Sequence, residues 1–187
     1  MESLRKENVE GWRKSPETSV PALIMSSGAE QILVSAPETM ASEIANHPFL
    51  RGLSLKFLTR VAQRATTRTF VAGEFLLREG EAADRLYLVC SGRVALEVKP
   101  SDRQPLTIET VGAGTIVGWS WSVAPCRYEL DARALRTVRT VAIEAEALRS
   151  ACEEDTADGY RFLERLLTVV ADRLSSTRLQ LVDAEQR

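Results

Sequence analysis

The sequence predicts a mainly β domain, a sandwich or a jelly roll, with helices at both ends. From Arg68 to about Ala145, short runs rich in β-branched residues alternate with glycine-containing turns. These turns recur about every eight to twelve residues, which is typical of such folds. Positive φ angles in tight turns cost little only for glycine. The turn glycines are Gly73, Gly80, Gly92, Gly112 and Gly114.

Two short helices are predicted before the β region. The first starts near Thr39 and is ended by Pro48, because proline interrupts a helical pattern. The second covers residues 54–65, where apolar side chains recur on one helical face.

Two further helices are predicted after the β region, the last of them from Tyr160 to Asp183. At 1.5 Å per residue it would be about 36 Å long. Apolar residues recur along it at alternating steps of four and three, which is a heptad seam. This seam predicts that the helix packs either on its own domain or against a second copy in a parallel homodimer. The apolar face of the helix is wide enough for both contacts. The seam residues are Leu163, Leu167, Val170, Leu174 and Leu181.

Composition excludes several classes of function. The 187 residues include 24 basic and 26 acidic side chains, so no general basic field attracts nucleic acid. No apolar run approaches the ~20 residues of a membrane span, and the N-terminus lacks a secretory signal, so we expect a cytoplasmic protein without membrane contact. The sequence has one histidine and three cysteines without a CxxC pair, so we expect no metal site. It also lacks a recognisable cluster of catalytic residues, so we do not expect an enzyme.

The chain divides into three predicted segments. Residues 1–38 are polar and patchy and form a partly ordered N-terminal arm. Residues 39–157 form the β domain with its first helices, and residues 158–187 form a C-terminal dimerisation helix.

The run VAGEFLLREGEAADRLYLVCSGRVALEV, residues 71–98, resembles the cyclic-nucleotide-binding domain of Crp/Fnr regulators and cyclic-nucleotide-dependent kinases. The likeness extends over roughly residues 39–183. It implies a double-stranded β-helix, or jelly roll, closed by a long C-terminal helix that usually dimerises. In the transcription factors a helix-turn-helix domain follows that helix. This sequence ends at Arg187, so we expect the sensor half without its own DNA-binding domain.

The loop after residue 117 departs from the pattern of the family it resembles. There a glutamate binds the ribose hydroxyl and an arginine binds the cyclic phosphate. Trp119 stands at the glutamate position, and Tyr128 stands at the arginine position when Ala132–Leu135 is used as the anchor. Strand alternation would point Tyr128 inward and Arg127 outward, although Arg127 could still reach inward if the strand begins after it.

The altered loop predicts weak or absent binding of cAMP and cGMP. The two tryptophans would fill the ligand volume, or else line a modified pocket for another planar or apolar ligand. Thr177 falls where the resemblance places a residue facing the nucleotide base. The candidate pocket residues are Gly118, Trp119, Ser120, Trp121, Ser122, Arg127, Tyr128 and Thr177.

The expected function is that of a stand-alone regulatory sensor or adaptor. It would act as a homodimer on an unidentified protein partner, without direct DNA binding. No cofactor is certain, and a cyclic nucleotide or another small ligand would be the bound molecule. The alternative is a Crp/Fnr-type transcriptional regulator module that binds cAMP or another small ligand.

Overall fold

Eight antiparallel strands form two four-stranded sheets in this computed structural model, which describes residues 36–100 and 104–185. One sheet has the order β1-β8-β3-β6 and the other β2-β7-β4-β5. The prediction of a mainly β jelly roll closed by a long C-terminal helix is confirmed. The strands are β1 (Ala65–Phe70), β2 (Phe75–Leu77), β3 (Arg85–Ser91), β4 (Arg93–Val98), β5 (Leu106–Gly112), β6 (Ile116–Val117), β7 (Asp131–Ala134) and β8 (Val138–Glu144).

The turn between β3 and β4 shows why a glycine is needed there. Gly92 has φ of 100°, a region that L side chains rarely adopt. A Cβ at this position would also lie 2.5 Å from the carbonyl oxygen of Thr137. Any other residue would therefore force apart the hairpin and the strand that follows Thr137.

Four helices flank the roll in the described part of the chain. They are α1 (Ala36–Asn46), α2 (Leu55–Ala62), α3 (Ala145–Glu154) and α4 (Thr156–Glu185). α1 and α4 begin close to the predicted segment boundaries at residues 39 and 158. Of the predicted N-terminal arm, residues 1–35 lie outside the described residues.

The first turns of α4 attach it to the N-terminal helices. Ser54 is the N-cap of α2, and its backbone N–H donates to Asp158 Oδ2 over 2.7 Å. Arg161 donates to the other oxygen of the same carboxylate over 3.1 Å. Farther along, Arg165 donates to the carbonyl of Phe49 over 2.9 Å. These contacts fix the direction in which α4 leaves the domain.

Replacing Asp158 by alanine should lower the free energy of unfolding by about 1–3 kcal/mol, because the hydrogen bonds that its buried carboxylate accepts from the Ser54 N–H and from Arg161 are lost. Hydrogen bonds from Ser54, followed by Arg161, hold the pKa of Asp158 below its ordinary value. The ionised Asp158 carboxylate therefore contributes to the free energy of unfolding above its unfolded-state pKa, which is about 4. This contribution is lost as the pH falls through the lower folded-state pKa. Urea unfolding at pH 7 and pH 3 measures both effects. The exposed Glu164→Gln change on the same helix is the control, and an equal loss at both pH values would contradict the assignment.

Candidate functional site

The loop between β6 and β7 begins with a backbone conformation that only glycine adopts easily. Gly118 has φ of 88° and ends β6. A Cβ on it would lie 2.8 Å from the carbonyl oxygen of Arg85 and 3.2 Å from the Tyr128 ring. The loop therefore folds closely against β3, and a 3-10 turn over Trp119–Ser122 follows at once.

The two tryptophans of this turn point to different places. Trp119 is half-buried and lines a small cavity under the loop. Trp121 is buried against the Phe162 ring, with 6.3 Å between ring centroids, and the Arg149 guanidinium lies over the indole, 5.7 Å from its centroid. A 3-10 helix has three residues per turn, so positions two apart face different directions. Of the two indoles, Trp119 faces the small cavity, and Trp121 belongs to the packing of α4.

The cavity under the loop has a volume of about 30 Å³. Pockets for small organic ligands usually measure about 300–1,000 Å³, whereas this one has room for only one or two waters. The cavity is therefore too small for a small organic ligand in this conformation. The cavity is lined by Leu77, Val117, Gly118, Trp119, Ser120, Tyr128, Glu129, Leu130 and Arg173.

Tyr128 is directed inward and its hydroxyl is fully engaged. The hydroxyl donates to the carbonyl of Arg85 over 3.0 Å and accepts from the N–H of the same residue over 3.1 Å. Burial raises the pKa of Tyr128, so the phenol stays neutral. The Asp84 carboxylate lies 3.5 Å from this hydroxyl. An anion brought to this position would meet the Asp84 carboxylate, and the neighbouring Arg85 guanidinium is already paired with that carboxylate over 4.0 Å.

Arg127 does not face the cavity. Its side chain is exposed and donates to the carbonyl of Gly80 over 2.6 Å. Its backbone pairs with Ala82 in an isolated antiparallel bridge, so the extended conformation already includes Arg127. Alternation then places Arg127 outside and Tyr128 inside.

The other predicted pocket residues divide between the cavity and its surroundings. Gly118 and Ser120 line the cavity. Ser122 is exposed and donates to the carbonyl of Trp119 over 2.9 Å. Thr177 donates to the carbonyl of Arg173 within α4 over 2.9 Å. The hydroxyls of Ser122 and Thr177 are thus engaged with nearby backbone.

Arg173 is a cavity residue that the sequence reasoning missed. Its side chain is 16% exposed, and its Nε lies 3.2 Å from Glu109 Oε2. Its terminal nitrogen donates to the carbonyl of Ile116 over 2.5 Å, which connects α4 to β6. Burial lowers the pKa of this guanidinium, and the charge of Glu109 partly opposes that shift. The available signal was its position one turn before Thr177 on the same helix face.

Neither a metal centre nor a membrane-spanning helix is present in residues 36–100 and 104–185. No group of three or more histidine, cysteine or acidic side chains there could hold a metal ion. None of the helices in these ranges is long and apolar enough to cross a bilayer. The single histidine, His47, is buried, and its Nε2 lies 3.3 Å from the carbonyl oxygen of Val89.

A jelly roll closed by a long C-terminal helix is the architecture expected of the regulatory domains that the sequence resembles. Residues 67–155 match the family model of the cyclic nucleotide-binding domain. The resemblance inferred from the glycine-rich run is therefore confirmed.

Curated relatives include a CRP-like cAMP-activated global transcriptional regulator of Mycobacterium tuberculosis. The two sequences are 27% identical over 140 residues, which is 75% of this chain and 61% of that protein. This chain thus matches less than two thirds of the length of that relative.

Solved structures with the same fold include a protein of Geobacter metallireducens assigned to the cyclic nucleotide-binding proteins. It is 28% identical with a TM-score of 0.61, and the match covers 75% of this chain and 99% of the other. The sensor domain of the transcriptional regulator DNR from Pseudomonas aeruginosa has a TM-score of 0.63 at 17% identity, covering 74% and 93% of the two chains. The second likeness concerns the fold alone.

Proposed function

We propose that this protein is a regulatory, non-catalytic sensor or adaptor that binds cAMP and cGMP weakly or not at all. The single observation that carries this is the small volume of the cavity, about 30 Å³, which Trp119 and Tyr128 help to line. The sequence resemblance places these two residues at the usual glutamate and arginine positions. Indole has no acceptor for a ribose hydroxyl, and a neutral phenol cannot balance a phosphate charge.

Charge around the cavity supports the same proposal. Arg173 is the cation among the lining residues, and it is already paired with Glu109 and bonded to Ile116. Asp84 lies beside the Tyr128 hydroxyl. A phosphodiester entering here would lose its hydration without gaining a free counter-ion, which is costly in a partly buried site.

Isothermal titration of the full chain with cAMP and cGMP tests the proposal. We expect a dissociation constant no tighter than about 1 mM, which corresponds to about −4.1 kcal/mol. A dissociation constant in the low micromolar range would overturn it. That result would favour the alternative, a Crp/Fnr-type transcriptional regulator module responding to cAMP, to which the Mycobacterium tuberculosis relative points.

The exposed seam of α4 is the proposed homodimer interface and the route of output. Leu163, Leu167 and Leu174 keep large exposed areas, with Leu167 68% exposed, and Val170 between them is half-buried. The side chain of Leu181 lies outside the described part of the chain. In a coiled-coil pairing the seam side chains would be buried against a second copy. A ligand or protein partner that shifts α4 would then change the pairing.

The double change Leu167→Glu and Leu174→Glu should convert a dimer into a monomer, because charges would enter an apolar seam. Light scattering coupled to size-exclusion chromatography measures the mass. Leu106→Glu is the matched control, since Leu106 is also exposed but lies on β5. Dimers that persist in the double variant, or dissociate in the control, would contradict this interface.

A further inference from the structure

The only histidine of the chain is held between the N-terminal helices and the roll. His47 is 6% exposed. Its Nδ1 accepts from the backbone N–H of Phe49 over 3.4 Å, and its Nε2 lies 3.3 Å from the carbonyl oxygen of Val89. A carbonyl oxygen only accepts, so Nε2 must carry the proton, whereas Nδ1 must be free of one in order to accept. Both contacts therefore require the neutral imidazole with its proton on Nε2.

Protonation of the ring would reverse the role of Nδ1. His47 is the N-cap of the 3-10 turn Pro48–Leu50, and its Nδ1 supplies the acceptor for that cap. An imidazolium carries an N–H there, which would face the Phe49 N–H, so two donors would meet. Burial lowers the pKa of His47, and the hydrogen bond to Val89 partly opposes this shift. The packed arrangement and the protonated ring therefore disfavour each other.

A cavity between α1 and the roll gives the charged ring another position. Its volume is about 400 Å³, and His47 lines it. The other charged and titratable groups in its lining are Glu43 of α1, Cys90 of β3 and Arg139 of β8. Glu43 pairs with Arg139, and its side chain is 27% exposed. Burial raises the pKa of Cys90, so that thiol stays neutral. A ring turned into this cavity would reach water and approach the Glu43 carboxylate.

The 3-10 turn that His47 caps also carries contacts of α4. The Phe49 ring lies edge-to-face on that of Phe162, with 5.4 Å between centroids. The charged group of α4 that is bonded to this turn is Arg165, which donates to the Phe49 carbonyl over 2.9 Å. A turn that loses its cap would therefore loosen two contacts of α4 at once.

We propose that His47 is a proton-sensitive switch, which as the neutral ring fixes the turn Pro48–Leu50 on the roll and as the imidazolium turns into the cavity and loosens the start of α4. The folded-state pKa lies below the unfolded-state pKa of about 6.5. The stabilisation by the neutral ring is therefore fully present above about pH 6.5 and is lost as the pH falls through the folded-state pKa. A partner that contacts α4 would thereby respond to acid. The switch itself depends neither on weak nucleotide binding nor on pairing of α4.

Nuclear magnetic resonance of the full chain, without any ligand, follows this switch directly. A single histidine gives a single set of ring signals, and the shifts of its two ring nitrogens distinguish the tautomers. We expect the Nε2–H tautomer at about pH 7.5 and a ring pKa below the ordinary value of about 6.5. The backbone amide signals of Phe49, Phe162 and Arg165 should shift with the same midpoint. The titration ends at about pH 4.5, where the Asp158 carboxylate remains ionised because its pKa is lowered.

His47→Asn tests the switch, because asparagine is a good N-cap residue that does not titrate. In this variant the pH-dependent shift of the Phe162 amide should fall at least about fivefold, because the titrating group is gone. Glu43→Gln should lower the ring pKa further, since the imidazolium loses its nearby carboxylate. Glu153→Gln is the matched control, because Glu153 is exposed on α3 outside the cavity, and its ring signals should titrate as those of the wild type do.

Circular dichroism checks the fold of each variant, and the wild-type titration stands even where His47→Asn fails to fold. The Nδ1–H tautomer, a ring pKa of about 6.5 or above, or a ring that stays neutral down to about pH 4.5 would overturn the proposal. A Phe162 amide whose midpoint differs from that of the ring, or whose shift is unchanged in folded His47→Asn, would do the same. So would a ring pKa that Glu43→Gln lowers no more than Glu153→Gln does.

Discussion

Replacing Phe162 by alanine should lower the free energy of unfolding by about 3–5 kcal/mol, the range for a buried phenylalanine that leaves a cavity. Phe162 is fully buried on the first turns of α4. Its ring centroid lies 5.4 Å from that of Phe49 in an edge-to-face arrangement and 6.0 Å from that of Phe57. On another side it meets Trp121 of the β6–β7 loop. One side chain therefore joins α4, the N-terminal helices and the loop.

Urea unfolding measures this effect, and two variants bracket it. Phe162→Leu keeps most of the apolar volume, so it should lower the free energy of unfolding clearly less than the alanine change does. Tyr160→Ala lies on the same helix but removes a side chain that is largely exposed, so it should change stability by no more than about 0.5 kcal/mol. A loss below about 1 kcal/mol for Phe162→Ala would mean that α4 is not held by this cluster.

The fold was readable from sequence because its signals are local and agree with one another. Turn glycines, strand-length runs and the change to helical periodicity all lie within short windows. The inward direction of Tyr128 followed from alternation alone, since Ala132 and Ala134 are buried on the same side.

The parts that sequence could not supply depend on tertiary geometry. The separation of Trp119 from Trp121 follows from a 3-10 turn, which the amino-acid sequence of the loop does not reveal. The importance of Arg173 depends on Glu109 and Ile116, which are more than fifty residues away in sequence. Its spacing on α4 indicates a helix face, but it says nothing about which strand that face meets.

The double change Trp119→Glu and Tyr128→Arg should raise the affinity for cAMP by about a hundredfold. The glutamate supplies an acceptor for the ribose hydroxyl, and the arginine supplies a counter-ion for the phosphate. A hydrogen bond to a charged group contributes about 1.5–3 kcal/mol, and 1.4 kcal/mol is tenfold in affinity. Two such hydrogen bonds would raise the affinity by more than a hundredfold. Part of the gain is lost because Asp84, now 3.5 Å from the Tyr128 hydroxyl, would pair with the new arginine.

A second pair of substitutions separates charge from volume. Trp119→Ala with Tyr128→Phe enlarges the cavity and releases the Arg85 backbone, but it adds neither an acceptor nor a cation. Titration with cAMP should show little gain for this pair, and circular dichroism checks that both proteins fold. If the uncharged pair binds cAMP as tightly as the charged pair, then steric filling alone excludes the nucleotide. The wild-type protein would in that case exclude cAMP because the indole ring fills the cavity, and not because a carboxylate and a guanidinium are lacking.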